Sequence, residues 1–183
     1  STDCDKIAKI ARFYGAETPF RRPSYLSNSK ATDIDVLKHF ISFLKKNKIS
    51  TNYICYAYAT NPLLKISTIV NTFRLLKKKD IQRVLTISKY EYPIQRALKK
   101  ATDGKISFRE PKFRNSTSQK LKVFYQDACQ CYWYNLNQIK NFNKFERLNT
   151  LGYELKNLEF VDLNDDNDFN KLNFLIKLKK IKK

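Results

Sequence analysis

The chain has 183 residues, 42% of them hydrophobic and 14% aromatic, which excludes a disordered polar segment and supplies enough for one domain with a core. Its 36 Lys and Arg against 17 Asp and Glu leave a formal charge of +19, so a nucleic acid or an anionic surface has to be weighed as a partner. Much of that charge lies on helical stretches such as Leu44–Lys48 and Leu75–Lys79, in a chain also rich in Asn and Ile. No compact basic-aromatic motif of the RNA-binding kinds is present, which argues against specific nucleic-acid binding. Cys129 and Cys131 are spaced C-x-C without a second pair, unlike a zinc site. Reduced thiols and a cytoplasmic location are expected, and no apolar run is long enough to span a membrane.

In chain order, Ile7, Ala8, Ile10, Ala11 and Tyr14 form a helical stripe, with Thr2 or Asp3 as cap, Gly15 as stop and Asp5–Lys9 as an outer ion pair. Phe20–Pro23 reads as extended, and Asp33–Lys46 as a helix burying Ile34, Leu37, Phe40, Ile41 and Leu44. Tyr53–Tyr58 has the composition of a strand buried on both faces. Thr60, Asn61 and Pro62 break it, and Ser67 caps a helix over 66–79 that points Ile66, Ile69, Val70, Phe73 and Leu76 inward. Gln82–Ser88 is the next strand, with Val84, Leu85 and Ile87 as core. Up to here strands and helices alternate, as in a parallel sheet.

Beyond residue 88 the alternation breaks. Asp103-Gly104 marks a tight turn before Lys105–Phe108, and Leu121–Tyr125 and Cys129–Tyr134 read as strands around Gln126-Asp127-Ala128. Asn135–Phe145 is polar, helical or irregular. Leu158–Leu163 is the last strand. Asp166–Ile181 is a terminal helix with Phe169, Leu172, Leu175, Ile176 and Leu178 on one face.

Ligands of open α/β sheets bind at the carboxyl ends of strands, so Tyr58–Pro62 is the first candidate floor of a site. Arg96, in a loop past a strand end, suits a carboxylate or phosphate, or else a surface ion pair. Asp127, Gln130 and Tyr132 share one side of a strand, as a site wall or a wetted edge. The acids of Asp162–Asp168 suit either Mg²⁺ or helix capping by Asp165 or Asp166. One histidine, His39, and three glycines leave no nucleophile–base pair and no Gly-rich phosphate loop.

Six segments in collinear order carry a family resemblance: Ser1–Asp3, Gly15–Pro23, Tyr58–Pro62, Pro93–Ala97, Asp127–Trp133 and Val161–Asn164. Together they resemble the acylneuraminate cytidylyltransferases, nearest the pseudaminic acid cytidylyltransferase branch. That branch shares Tyr58, where the sialic-acid branch usually has glutamine, together with Pro-Ile-Gln-Arg-Ala and Asp-Ala-x-Gln-x-Tyr-Trp.

The resemblance implies a Rossmann-like three-layer α/β/α nucleotide-diphospho-sugar transferase fold with a mostly parallel sheet, lacking its first βαβ unit. It implies a single domain over 1–183, with 105–150 used in a homodimer contact, and no membrane partner. The implied reaction joins CTP to a nine-carbon 2-keto acid sugar, with Mg²⁺, and releases pyrophosphate. Carried over by position, Tyr58, Thr60, Asn61, Gln95, Arg96, Asp127, Gln130 and Tyr132 line the sugar pocket, with Arg96 for the carboxylate. Asp162 matches the first aspartate of the family's Asp-x-Asp metal motif, whose second position is Asn164 here. The family's phosphate-binding loop has no counterpart, so a fragment of impaired activity is expected. CMP-N-acetylneuraminate or CMP-legionaminate synthesis, and a non-catalytic basic binding protein on the same fold, are the rival readings.

Overall fold

The structure, a computed structural model, describes residues 1–139, 141, 144, 147–156, 159–161 and 163–181. Its residues group into two units, Ser1–Asn52 with Ile139–Leu148, and Tyr53–Gln138 with Asn149–Lys183.

The first unit carries α1 (Asp5–Phe13) and α2 (Asp33–Lys46). The N-cap of α1 is Cys4, one residue after the expected caps, and its N–H donates to the Thr2 hydroxyl at 3.2 Å. The apolar stripe of α1 is left uncovered: Ile7, Ile10 and Tyr14 are exposed and the helix buries no residue. Periodicity marks the face a helix can bury, not whether anything covers it. Asp5 pairs with Arg21 at 2.6 Å instead of Lys9, with both side chains largely in solvent. By contrast α2 starts where its sequence says. Thr32 and Asp35 close a capping box that satisfies two orphan N–H groups, and Val36, Leu37, Ile41 and Leu44 are buried.

The second unit is built on a four-stranded sheet of order β1-β5-β2-β6, where β1 is Tyr53–Ala57, β2 Arg83–Lys89, β5 Tyr125–Asn135 and β6 Thr150–Glu154. β5 runs antiparallel to both β1 and β2, while β2 and β6 are parallel. Three strands thus share one direction, as an α/β fold requires, and the reversed β5 makes the sheet mixed. β5 is one continuous strand, not the two short ones expected. The last strand is β6, while residues 159–161 are not in a strand, and 158 and 162 lie outside the described residues. Of the polar stretch 135–145, Asn135 ends β5, and 140, 142, 143 and 145 lie outside the described residues.

β1 is not buried on both faces. It lies at the end of the strand order, with only Ile54 fully buried and Ala57 exposed. In β2 the buried face is Val84, Thr86 and Ser88, so the expected core residues Leu85 and Ile87 fall on the half-buried side. α3 (Ile66–Leu76) starts one residue before the expected cap and buries Thr68, Thr72 and Leu76, leaving Ile66 and Val70 exposed. Burying threonine is tolerable because the Thr72 hydroxyl donates to the Thr68 carbonyl at 2.6 Å. Leu76, Ile81 and Val84 form one core cluster, flanked by Tyr53, Phe73 and Trp133. α4 (Asp166–Ile181) packs Leu172 and Leu175 on Leu63 and Val161, while Phe169 stays exposed. β3 (Leu98–Lys100) and β4 (Ile106–Phe108) form a separate hairpin, turned at Gly104, whose φ of +86° favours glycine.

Candidate active site at the carboxyl edge of the sheet

Because β5 is reversed, its first half lies at the carboxyl ends of β1 and β2. Ala57 pairs with Cys131, and Lys89 with Tyr125. There the ladder is interrupted. Leu85 pairs with Tyr132 and the next paired residue, Ile87, with Asp127, so Thr86 alone faces Ala128–Cys131. Four residues of β5 thus bulge against one of β2, and Cys129 among them has φ +46°, a left-handed conformation that costs a non-glycine residue energy.

Hydrogen bonds hold the bulge from every side. The fully buried Thr86 accepts the N–H groups of Gln130 and Cys131 at 3.3 and 3.4 Å. The Asn61 amide donates to the Cys129 carbonyl at 2.6 Å, and the Tyr58 N–H to the Gln130 carbonyl at 3.1 Å. Asp127 accepts the Cys129 N–H at 2.9 Å through one carboxylate oxygen and the Tyr132 hydroxyl at 2.7 Å through the other. The Gln130 amide donates to the Glu159 carbonyl at 2.8 Å. Glu159 is itself held by the Lys65 ammonium and the Lys156 N–H, and its carboxyl lies below the usual range, chiefly through Lys65.

Above the bulge stands a cluster of phenols. The Tyr58 ring meets Tyr56 at 5.1 Å and Tyr132 at 5.3 Å, both edge-on. Burial, then the hydrogen bonds to Asp127 and Tyr58, push the Tyr132 phenol far above its ordinary value, so it stays a proton donor at any working pH. Behind the sheet, Cys131 lies 3.9 Å from the Thr72 hydroxyl and Cys55 is half-buried, its thiol pushed up by hydrogen bonding to Cys131 and by burial. The same hydrogen bond lowers the Cys131 thiol, but that residue is fully buried.

The structure therefore brings Tyr58, Asn61, Asp127, Gln130 and Tyr132 into one cluster. Asn61 and Gln130 are buried, and their amide N–H groups face the backbone. Asp127 and Tyr58 keep exposed surface. Thr60 is exposed in the turn after β1. Gln95 and Arg96 lie on a separate 3-10 turn, Ile94–Arg96. There Gln95 is buried and donates to the Lys122 carbonyl at 2.8 Å, while Arg96 is exposed. Thr86 and Glu159 were missed. The one signal for Thr86 was a polar residue inside the apolar run Val84-Leu-Thr-Ile87.

The expected metal motif fares differently. Asp162 lies outside the described residues. Asp165 and Asp168 close a reciprocal cap on α4: Asp168 accepts the N–H groups of Asn164 and Asp165 at 3.0 and 3.3 Å, and Asp165 accepts that of Asp168 at 3.0 Å. Their carboxylates are committed to the helix start, and the amide of Asn164 is a weak substitute for a carboxylate. Among the described residues no three His, Cys, Asp or Glu side chains gather into one group. No described helix is long and apolar enough to cross a membrane.

No family model matches the chain. It is 29% identical over 133 residues to the pseudaminic acid cytidylyltransferase of Campylobacter jejuni serotype O:2, covering 73% of this chain and 57% of that protein. It is 26% identical over 164 residues to a Helicobacter pylori protein named pseudaminic acid cytidylyltransferase and UDP-2,4-diacetamido-2,4,6-trideoxy-beta-L-altropyranose hydrolase, covering 89% of this chain and 31% of that protein. The chain thus spans little more than half the length of the first of these relatives. In fold it is similar to a solved CMP:2-keto-3-deoxy-manno-octonic acid synthetase complexed with CTP, with TM-score 0.64 and 10% identity over 97% of this chain and 79% of that one. Sequence and fold converge on one resemblance: this chain is similar to the pseudaminic acid cytidylyltransferases and folds as a CMP-sugar synthetase does.

Proposed function

We propose that the chain serves CMP-sugar synthesis, transferring CMP from CTP to a nonulosonic acid, with pseudaminic acid favoured. In this reading the sugar's anomeric hydroxyl attacks the α-phosphorus of CTP, a new P–O bond forms, and pyrophosphate leaves. The observation that carries it is the cluster around the β5 bulge. Tyr58, Asp127 and Tyr132, residues of two segments that resemble the family, meet at the carboxyl edge of the sheet. Asp127 and Tyr58 face the sugar, Tyr132 keeps the Asp127 carboxylate oriented, and Asn61 and Gln130 hold the backbone beneath them. Mg²⁺ and a homodimer belong to the same reading. For the dimer, the β3–β4 hairpin offers Leu98 and Ile106, both exposed.

The test is a panel of pseudaminic, legionaminic and N-acetylneuraminic acids, measured by calorimetric binding and by pyrophosphate release with CTP. Preference for pseudaminic acid, lost in Tyr58→Ala, is the expected result. Preference for N-acetylneuraminic acid would move the chain to the sialic-acid branch, and no binding of any acid sugar would sink the reading.

A further inference from the structure

A cavity of about 330 Å³ opens beside the bulge, where β2 ends and β5 begins. Ser88 and Lys89 close β2, Gln126 is the second residue of β5, Phe160 precedes α4, and Lys171 stands on α4 itself. Tyr90, Glu91 and Tyr92, just past β2, complete the lining. Neither the resemblance nor the motifs assigned Lys89 or Lys171 a role.

The chemistry of the lining is specific. Two lysines line it, Lys89 from the end of β2 and Lys171 from α4. Lys89 follows Ser88, which is buried in the sheet, and Lys171 adjoins Leu172, which is in the core cluster with Leu63 and Val161. Glu91, Gln126 and Ser88 add hydrogen-bond acceptors, and Phe160 an apolar wall. A volume of about 300 Å³ or more is the size at which pockets hold small molecules. The combination suits a ring compound with a carboxylate at one end and hydroxyl or amide N–H groups around it. Arg96, the expected carboxylate partner, is exposed on its turn and does not line this cavity.

We propose that this cavity binds the carboxylate end of the acid sugar, with Lys89 and Lys171 as its charge partners. The proposal rests on the acid-sugar reading of the site above. Two ammonium point charges would hold the carboxylate without the fork geometry of arginine, so the contact should weaken steeply with salt.

The experiment titrates the full chain calorimetrically with pseudaminic acid and with its methyl ester, which lacks the charge. The acid is expected to bind about tenfold or more tightly than the ester, a difference within reach of a charge-assisted contact. Lys89→Ala and Lys171→Ala should each weaken acid binding and bring the acid-to-ester ratio toward one, while leaving ester affinity and the melting temperature unchanged, since both side chains are exposed. If Arg96→Ala collapses the ratio and the lysine variants do not, the carboxylate lies elsewhere and this proposal falls while the acid-sugar reading stands. Equal binding of acid and ester by the unaltered chain also overturns it. If neither compound binds, the acid-sugar reading falls and takes the proposal with it.

Discussion

Thr86 is the smallest residue with a large consequence. Its hydroxyl accepts two backbone N–H groups in the dry centre of the sheet. Thr86→Val keeps the shape and orphans both donors, so a loss of about 1–3 kcal/mol in urea unfolding is expected, with Thr86→Ser recovering most of it. Equal stability of the two variants would show that the bulge needs no clamp. Glu159 gives a pH prediction. Lys65 and the Lys156 N–H lower its folded pKa, so its contribution is complete above the ordinary glutamate value and is lost as pH falls through the lowered one. Glu159→Gln should flatten the acid limb of a stability-against-pH curve. Tyr132 runs the other way. Its raised value means stability that is present below the ordinary phenol pKa and is lost above it, a loss that Tyr132→Phe should remove. At this scale the amides of Asn61 and Gln130, carried over to the sugar pocket by resemblance, also each donate to a backbone carbonyl. A side-chain amide reads the same in sequence whether it faces a ligand or a carbonyl.

Elements with capping chemistry were the legible ones. Thr32 and Asp35 started α2, and Asp165, one of the two expected caps, starts α4. Asp165→Ala should cost about 1 kcal/mol of stability, read from thermal unfolding, by removing that cap. β5 was illegible as one strand because Gln126-Asp127-Ala128 has the composition of a turn. Its polar residues sit in a bulge that neighbouring strands and Asn61 hold in register, and those partners are distant in sequence. α3 hid its buried face for a related reason. Thr72 looks polar until its hydroxyl turns back onto the helix, whereas Leu76, fully buried, was read correctly. Leu76→Ala should cost about 2–5 kcal/mol.

At the scale of the molecule, the α/β class was visible because alternating apolar runs and turn residues encode it locally. The reversal of β5 was not, since strand direction depends on connections whose lengths carry no sign. The hairpin offers the molecular test. If it joins two copies, Ile106→Glu, at a position exposed in the single chain, should convert a dimer to a monomer by light scattering without lowering its melting temperature.

The reversed strand has a consequence for how the chain reaches its fold. β1 and β2 are consecutive in sequence, yet β5 lies between them, joining Tyr53 to Asn135 and Arg83 to Tyr134. Until β5 is synthesised, both earlier strands present open edges, and the pairings that close them span long loops. Sheets closed by such distant contacts form slowly. During translation the half-made sheet, with its unpaired edges, is therefore the aggregation-prone state until Asn135 has emerged.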